Sequence, residues 1–308
     1  MSVLTLGVDT SNYTTSLAVC RDGEIIESVR IVLPVKPGEV GLRQSDAVFA
    51  HTVNLPAAFS RLETDLSGLS AVGFSDRPRN IEGSYMPCFL CGKSAAYAAA
   101  TAKNVPVFCN SHQEGHIKAA VYSSKMTLTD RFYAYHLSGG TLELLKVSRA
   151  GDSFDCEIKG KTLDVTAGQI IDRTGVMLGL PFPCGKHVEA LSDKNVDKLP
   201  QIKISVKGCE CNLSGVENKV REMNNKECAP ELIAAYVIEF IRRTIDKMTE
   251  NAMKDEKLPL LFSGGVSSNK TLKKFFTEKY GAYFAAPEYS ADNAAGTALI
   301  TYDRYING

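Results

Sequence analysis

No apolar run in the chain reaches the roughly 18 residues that a helix needs to cross a bilayer. The opening string MSVLTLGVDTSNYTTS has no basic start and no small-residue cleavage site, so no signal peptide is expected. Net charge is missing too: 35 Lys+Arg stand against 35 Asp+Glu. That argues against a broad electrostatic grip on nucleic acid and leaves room only for a local basic patch. Walker and Rossmann glycine fingerprints are absent, as are short-period repeats and low-complexity tracts. What is present is ordinary: 44% hydrophobic and 23% charged over 308 residues, the composition of a globular protein with two domains or one large one. A disordered, collagen-like or small disulfide-stapled chain is excluded.

The nine cysteines are odd in number and scattered, as reduced cytosolic thiols are, and a cytoplasmic location is expected. Cys88 and Cys91 form a CxxC, and Cys209 and Cys211 a CxC. The two differ in spacing and lie far apart, which suits small buried hydrophobes better than a zinc ribbon.

The chain reads as two copies of one pattern. Val3 to Val8, Ser16 to Cys20 and Glu24 to Val32 form strands, with a tight turn at Arg21-Asp22-Gly23. A helix is expected over Leu55 to Leu66, a strand over Ser70 to Phe74, an alanine-rich helix over Cys91 to Lys103, a strand over Val105 to Cys109, and a helix from about Ser111. The pattern returns with strands Phe132 to Leu137, Leu142 to Val147 and Phe154 to Ile158. Helices follow over Thr162 to Leu178 and Glu231 to Ala252, then a strand over Leu258 to Phe262 and a helix from Asn269. A duplicated α/β fold with two lobes follows from this grammar.

Three features can carry chemistry. His112 and His116 stand four apart on one helix face, a spacing that suits one transition metal. Zincin proteases place Glu directly after the first His. Here Gln113 is there, and Glu114 lies about 200° around the helix from His112. Glycine turns at Ser138-Gly139-Gly140-Thr141 and Ser263-Gly264-Gly265 follow apolar strands, where bare backbone N–H groups can approach phosphate. Asp9-Thr10-Ser11 is a third turn after a strand. Asp292 precedes the last helix and reads locally as an N-cap.

Taken in order, the strings GVDTSNYTTSLAV, SHQEGHIKAA, HLSGGTLELL, TAGQIIDRTGVMLGLPFPCG, FSGGVSSN and ADNAAG resemble the TsaD/Kae family, also called glycoprotease-like, over nearly the whole chain. The resemblance implies the actin/Hsp70-like ATPase fold, two RNase H-like lobes around a nucleotide cleft. The first lobe would run over 1–131, completed by the C-terminal helix 292–308, and the second over 132–291. It implies transfer of a threonylcarbamoyl group from its adenylate to the exocyclic amine of the adenosine beside the tRNA anticodon. It also implies one divalent transition metal, iron or zinc, and an ATP/AMP-type nucleotide with magnesium.

Carried over by position, the family's metal ligands fall on His112, His116 and Asp292. Phe132, Ala134, His136 and Ser138 alternate onto one strand face. A tyrosine ligand of archaeal and eukaryotic members falls on His136, so a site of three histidines and one carboxylate is expected. His136, Leu137, Ser138, Gly139, Gly140, Gly264, Gly265 and Asn269 match nucleotide-contacting positions, and Asp172 and Gly185 those that hold the ribose. Asp9 is the candidate catalytic group. His51 matches a family histidine to which no role attaches.

Two departures stand out. The family's first loop carries an acidic pair after Thr-Ser-Cys; here Tyr13 and Thr14 follow Asn12. Its Gly-Pro-Gly loop is replaced by Asp76-Arg77-Pro78-Arg79-Asn80, whose arginines could grip an anion. These motivate one alternative, a nucleotide- and metal-binding paralogue without the transferase activity. A glycoprotein endopeptidase is a third reading. Association through the first lobe, as a homodimer or with a companion subunit, is expected at the small-residue stretch Ser94 to Ala102.

Overall fold

The structure is a computed structural model that describes residues 2–11, 13–33, 42–193 and 198–308; Asn12 lies outside them. The chain divides into two compact units. Unit 1 comprises Met1–Ser123, Arg149–Asp155 and Glu288–Gly308, and unit 2 comprises Ser124–Ser148 and Cys156–Pro287. No helix among the described residues is long and apolar enough to cross a membrane.

Unit 1 begins with β1 (Leu4–Asp9), β2 (Thr14–Arg21) and β3 (Glu24–Val32), then α1 (Gln44–Ser60), β4 (Leu69–Arg77), α2 (Phe89–Lys103), β5 (Val107–Ser111) and α3 (His112–Ser124). Its sheet runs β3-β2-β1-β4-β5. β1 is antiparallel to β2 and parallel to β4, and β4 is parallel to β5. Leu4, Leu6 and Val8 of β1 join Leu17 and Val19 of β2 in a core with Leu55 and Ala58 of α1 and Ala96 and Ala100 of α2.

Unit 2 carries β6 (Arg131–Leu137), β7 (Leu142–Ala150), β8 (Ser153–Lys161), α4 (Ala167–Met177), α5 (Gly185–Ser192), the small hairpin β9 (Ser205–Lys207) and β10 (Glu210–Asn212), α6 (Gly215–Asn225), α7 (Pro230–Asp255), β11 (Leu260–Ser263), α8 (Lys270–Tyr280) and β12 (Tyr283–Phe284). Its sheet order, β12-β11-β6-β7-β8, repeats that of unit 1 read from the other edge. In both, the first strand is antiparallel to the second and parallel to the strand on its other side. The last helix, α9 (Ala295–Asn307), belongs to unit 1.

Two helices differ from the sequence expectation. α1 starts at Gln44 and stops at Ser60, because its inward positions Ala47 and His51 are small or polar and hide the first half of the apolar face. Leu62 and Leu66 still pack on the core, but from the segment after the helix. α4 starts at Ala167 rather than Thr162. Thr166 and Gln169 form a reciprocal capping box, while the Thr162 hydroxyl donates to the Val165 carbonyl at 2.7 Å and holds a turn.

One face of β1 is reserved for α9, and glycine makes the approach possible. A Cβ on Gly7 would meet Ala298 N at 2.5 Å, and one on Gly296 would meet the Gly115 carbonyl oxygen of α3 at 1.8 Å. The second contact fixes where the segment before α9 enters. Gly296→Ala forces backbone apart, and overpacking of this kind costs about 1–3 kcal/mol or more. The expected result is a lower urea midpoint together with weakened divalent-metal binding; a parental midpoint and parental metal affinity would contradict it.

Candidate metal centre

α3 begins abruptly, and its start is encoded locally. The Ser111 backbone N–H donates to Glu114 Oε2 at 2.6 Å, and the Glu114 N–H donates to Ser111 Oγ at 3.2 Å. This is a Ser-x-x-Glu capping box. Ser153 Oγ donates to the other Glu114 oxygen, and Glu114 is only 2% exposed. The glutamate that a protease reading would need is thus a buried structural cap. The box puts His112 at the first helical position and His116 one turn on.

Asp292 arrives from the other side of unit 1. Asn293, and not Asp292, caps the turn into α9: its Oδ1 accepts the Ala295 N–H at 3.0 Å and its Nδ2 donates to the Ala291 carbonyl at 2.6 Å. Asp292 is left to face the histidines. His116 Nε2 lies 2.8 Å from His112 Nε2 and 3.2 Å from Asp292 Oδ1, and His112 Nε2 lies 3.5 Å from Asp292 Oδ1. Adjacent donors bound at about 2.0–2.2 Å to one ion stand about 3 Å apart, so this set fits a single metal. Among the described residues it is the one group of His, Cys, Asp or Glu side chains arranged to hold an ion.

Asp9, at the end of β1, stands behind His112. Its Oδ2 is 2.8 Å from His112 Nδ1, and its Oδ1 accepts the Ser11 backbone N–H at 2.9 Å. A carboxylate can only accept here, so Nδ1 carries the hydrogen and Nε2 of the neutral ring presents its lone pair to the ion site. Burial opposes charge on His112, but Asp9 and Asp292 outweigh it and push the imidazole up to about 10. Burial would raise Asp292 and Asp9. The paired histidines hold Asp292, and His112 holds Asp9, below the ordinary carboxylate value.

The remaining expected site residues belong to unit 2. His136 on β6 is paired with Ser263 of β11, its Nδ1 lying 3.3 Å from Ser263 Oγ. The turn after β6 is closed by Ser138 Oγ, which accepts the N–H groups of Gly140 at 3.3 Å and Thr141 at 3.1 Å. α4 docks on it through Gly168, where a Cβ would meet Gly139 Cα at 2.7 Å, and through Thr166 Oγ1, which donates to the Gly139 carbonyl at 2.8 Å. Gly264 has φ +92°, and a Cβ there would strike the Leu137 carbonyl oxygen at 2.2 Å. Unit 2 therefore brings both glycine turns together, while Gly265 opens the short helical turn after β11. The Leu137 side chain is fully buried, so only its backbone can face a ligand. Asp172 Oδ1 accepts the Cys184 N–H at 2.8 Å, which places Gly185 beside it. Asn269 caps α8 by accepting the Leu272 N–H at 3.1 Å.

Residues 46–299 match the family described as tRNA N6-adenosine threonylcarbamoyltransferase, TsaD. The chain belongs to this family. A member from Carboxydothermus hydrogenoformans is 29% identical over 327 residues, covering 100% of this chain and 94% of that protein. One from Enterococcus faecalis is 29% identical over 290 residues, covering 88% of this chain and 79% of that protein. Among solved structures, component A of the (R)-2-hydroxyglutaryl-CoA dehydratase of Acidaminococcus fermentans superposes with a TM-score of 0.59 at 13% identity, covering 99% of each chain. Full-length HypF gives 0.58 at 12% identity over 100% of this chain and 56% of that one. These distant likenesses establish the fold alone, that of the actin/Hsp70-like ATPases. In this fold His112 and His116 of α3 stand beside Asp292.

The cysteines do not enter the site. All nine are free, and Cys20, Cys88, Cys184 and Cys211 are buried. Sequence reasoning missed the partnership of Asp9 with His112, and it missed the character of His51. His51 is fully buried on α1, and burial pushes its imidazole down to about 4. The unfolded chain takes up a proton near pH 6.5 and the folded chain only near 4, so stability is lost as pH falls through this window. From pH 7 to pH 5 the loss from this group is about 2 kcal/mol by linkage. Urea midpoints of the parent and of His51→Gln at the two pH values check this: the variant should lose less on acidification, and an equal loss contradicts the assignment.

Proposed function

We propose that this chain transfers a threonylcarbamoyl group from its adenylate to the exocyclic amine of the adenosine beside the tRNA anticodon. The observation that carries the reading is the convergence of His112, His116 and Asp292 on one point in a member of the TsaD family. Three protein ligands leave positions open, as catalytic centres do. A divalent transition metal, iron or zinc, supplies Lewis-acid polarisation and a template for substrate oxygens when bound there. The amine nitrogen forms a bond to the carbamoyl carbon, the bond from that carbon to the phosphate oxygen breaks, AMP departs with the electron pair, and the amine proton passes to solvent.

The chain's own residues position these groups. His112, His116 and Asp292 hold the ion, and Asp9 fixes the tautomer and orientation of His112. Asp9 is 1% exposed with both oxygens engaged, so its part is positioning. In unit 2, the turn at Ser138-Gly139-Gly140 together with Gly264 and Gly265 receives an adenine nucleotide's phosphates, with magnesium, at its glycines, and Asp172 and Gly185 receive the ribose. His136 is proposed, on its sequence position alone, to fill one of those open positions, with substrate taking a further one on an ion that expands its coordination.

Association through unit 1 belongs to the same reading. The small-residue stretch splits: Ala96 and Ala100 are packed against the sheet, while the outer faces of the two neighbouring helices leave Phe49 71%, Val53 56%, Leu90 48% and Tyr97 50% exposed. Light scattering and pull-downs test this. A homodimer or a captured companion subunit, lost in Phe49→Asp, is expected; a monomer at high concentration with no partner contradicts it.

The function itself is tested by supplying threonylcarbamoyl-adenylate and anticodon-loop tRNA, with and without a companion subunit. Modified adenosine and AMP should form in equal amounts. His112→Ala should abolish both metal content and turnover. His136→Ala should lower metal affinity, and an affinity equal to the parent's would show that His136 is not a ligand. No modified nucleoside under any combination overturns the transferase reading.

A further inference from the structure

Cys88-Phe89-Leu90-Cys91 is a motif that the metal centre and the glycine turns leave unused. β4, α2 and β5 form a strand–helix–strand unit with parallel strands, and the two thiols stand where that unit turns into its helix. Cys88 is the N-cap of α2, and the Cys91 N–H donates to the Cys88 carbonyl at 3.3 Å. One helical turn therefore separates the two residues. Their Cα atoms stand about 5 Å apart across such a turn, within the roughly 4.4–6.8 Å that a disulfide spans. Both thiols are free. A CxxC at the head of the helix in such a unit is the arrangement of dithiol redox pairs, because the positive end of the helix favours thiolate.

The two thiols differ in access. Cys88 is fully buried among Leu33, Ala47 and Phe89. Cys91 is partly exposed in the seam between α1 and α2, where its Sγ donates to the Val48 carbonyl at 3.5 Å and lies 3.7 Å from Thr52 Oγ1. An oxidant therefore meets Cys91 first, with Cys88 one turn away to resolve. The motif is fastened to Thr10. Thr10 Oγ1 donates to the Cys88 carbonyl at 2.9 Å and accepts the Gly92 N–H at 3.0 Å, so it bridges both ends. Thr10 in turn stands between Asp9, whose Oδ2 meets His112 Nδ1, and Ser11, whose N–H donates to Asp9 Oδ1. Phe89, inside the motif, has its ring centroid 6.2 Å from that of His112.

We propose that Cys88 and Cys91 form a reversible disulfide, with a low-molecular-weight disulfide as oxidant, and that its closure loosens the hold of Asp9 on His112. The Cys91 thiolate attacks one sulfur of the oxidant and expels one thiolate, which leaves a mixed disulfide on Cys91. The Cys88 thiolate then attacks the Cys91 sulfur and expels the second. The two cysteines lose two electrons and two protons, and the oxidant gains them as two thiols. Cβ atoms one helical turn apart stand about 5–6 Å from each other, whereas a disulfide holds them at about 3.5–4.5 Å. Closure therefore tightens the turn by about 1 Å or more. The groups that must give are the Cys88 carbonyl and the Gly92 N–H, and these are the groups that hold Thr10. The coupling to His112 rests on the metal-centre reading above; the disulfide does not.

The test uses the full chain, reduced with dithiothreitol and then treated with oxidised glutathione. Trypsin releases residues 80–93, which hold Cys88 and Cys91 and no other cysteine. In the oxidised protein this peptide should have lost two hydrogen atoms and should resist alkylation, and dithiothreitol should restore both thiols. Zinc dissociation constants, measured by chelator competition, should rise about 10-fold or more on closure, the effect of losing an outer partner of a ligand histidine. Cys91→Ser, which cannot close, should keep its zinc affinity through the same treatment, and Cys88→Ala serves if Cys91→Ser does not fold. A peptide that stays open overturns the proposal. A closed peptide with unchanged zinc affinity, or an equal loss of affinity in the control variant, overturns it too. A reduced parent that binds neither zinc nor iron refutes the metal-centre reading instead. The inference is then judged by hydrogen exchange at the Ser11 N–H, which Asp9 holds: faster exchange in the disulfide form supports it, and equal exchange overturns it.

Discussion

The cluster of His112, His116 and Asp292 depends on one backbone contact, the seating of Gly296 against the Gly115 carbonyl. Two helices far apart in the chain, α3 and α9, meet there without a side chain between Gly115 and Gly296. Gly115 lies between His112 and His116 on α3, and Gly296 lies four residues after Asp292. The same contact therefore aligns two histidines on one helix with Asp292 ahead of the other. Gly7 and Gly73 extend the arrangement by letting α9 lie close on the sheet. Asn293 closes the turn ahead of α9 by accepting the Ala295 N–H, and the Asp292 carboxylate is left to face the histidines. A few residues without side chains thus define the position of the charged ones.

Charge balance explains why the site suits a dication. Asp9 and Asp292 bring two negative charges into a largely buried cluster, and both are held ionised by the histidines. Without metal, a proton on His112 offsets part of that charge, which is why the ring is pushed up to about 10. With neutral imidazoles, a divalent ion cancels the two carboxylates outright. Burying unbalanced charge is costly, so a divalent ion would compete with the proton for this cluster, as where binding is coupled to deprotonation. The outer carboxylate contributes charge and orientation together, because its hydrogen bond fixes which nitrogen of His112 is bare.

Much of this was legible in the sequence, for identifiable reasons. Strands showed through alternation, as in Leu4, Leu6 and Val8, and the repeated grammar matches two sheets of equivalent order. The histidine pair showed because helical spacing is short-range. α1 was misplaced because a buried histidine and an alanine interrupt its apolar face. The start of α4 was misplaced because Thr162 and Thr166 both suit a cap, and only tertiary contacts choose between them. Asp292 read as an N-cap because local propensity cannot see histidines 176 residues away. The role of Glu114, by contrast, was readable from Ser111-His112-Gln113-Glu114 as a capping box. Asp9 and His51 carried no local signal, since their partners are far away in sequence.

The departures from the family pattern fall on segments that the centre can tolerate. The replaced Gly-Pro-Gly loop keeps one structural duty visible in the backbone: the Pro78 carbonyl accepts the Gln113 N–H at 3.0 Å and satisfies an otherwise open donor at the start of α3. Arg77 is committed to Asp76 and Asn80, so its charge is neutralised within the loop and does not act on the histidines as an isolated cation. Thr14 is buried as the first residue of β2, and Tyr13 passes its carbonyl to the Leu33 N–H at 2.8 Å. Both positions serve the sheet through backbone that any residue can supply. The metal cluster takes its own support from α3, α9 and the end of β1. Side chains in the two altered loops can therefore change while His112, His116 and Asp292 keep their geometry.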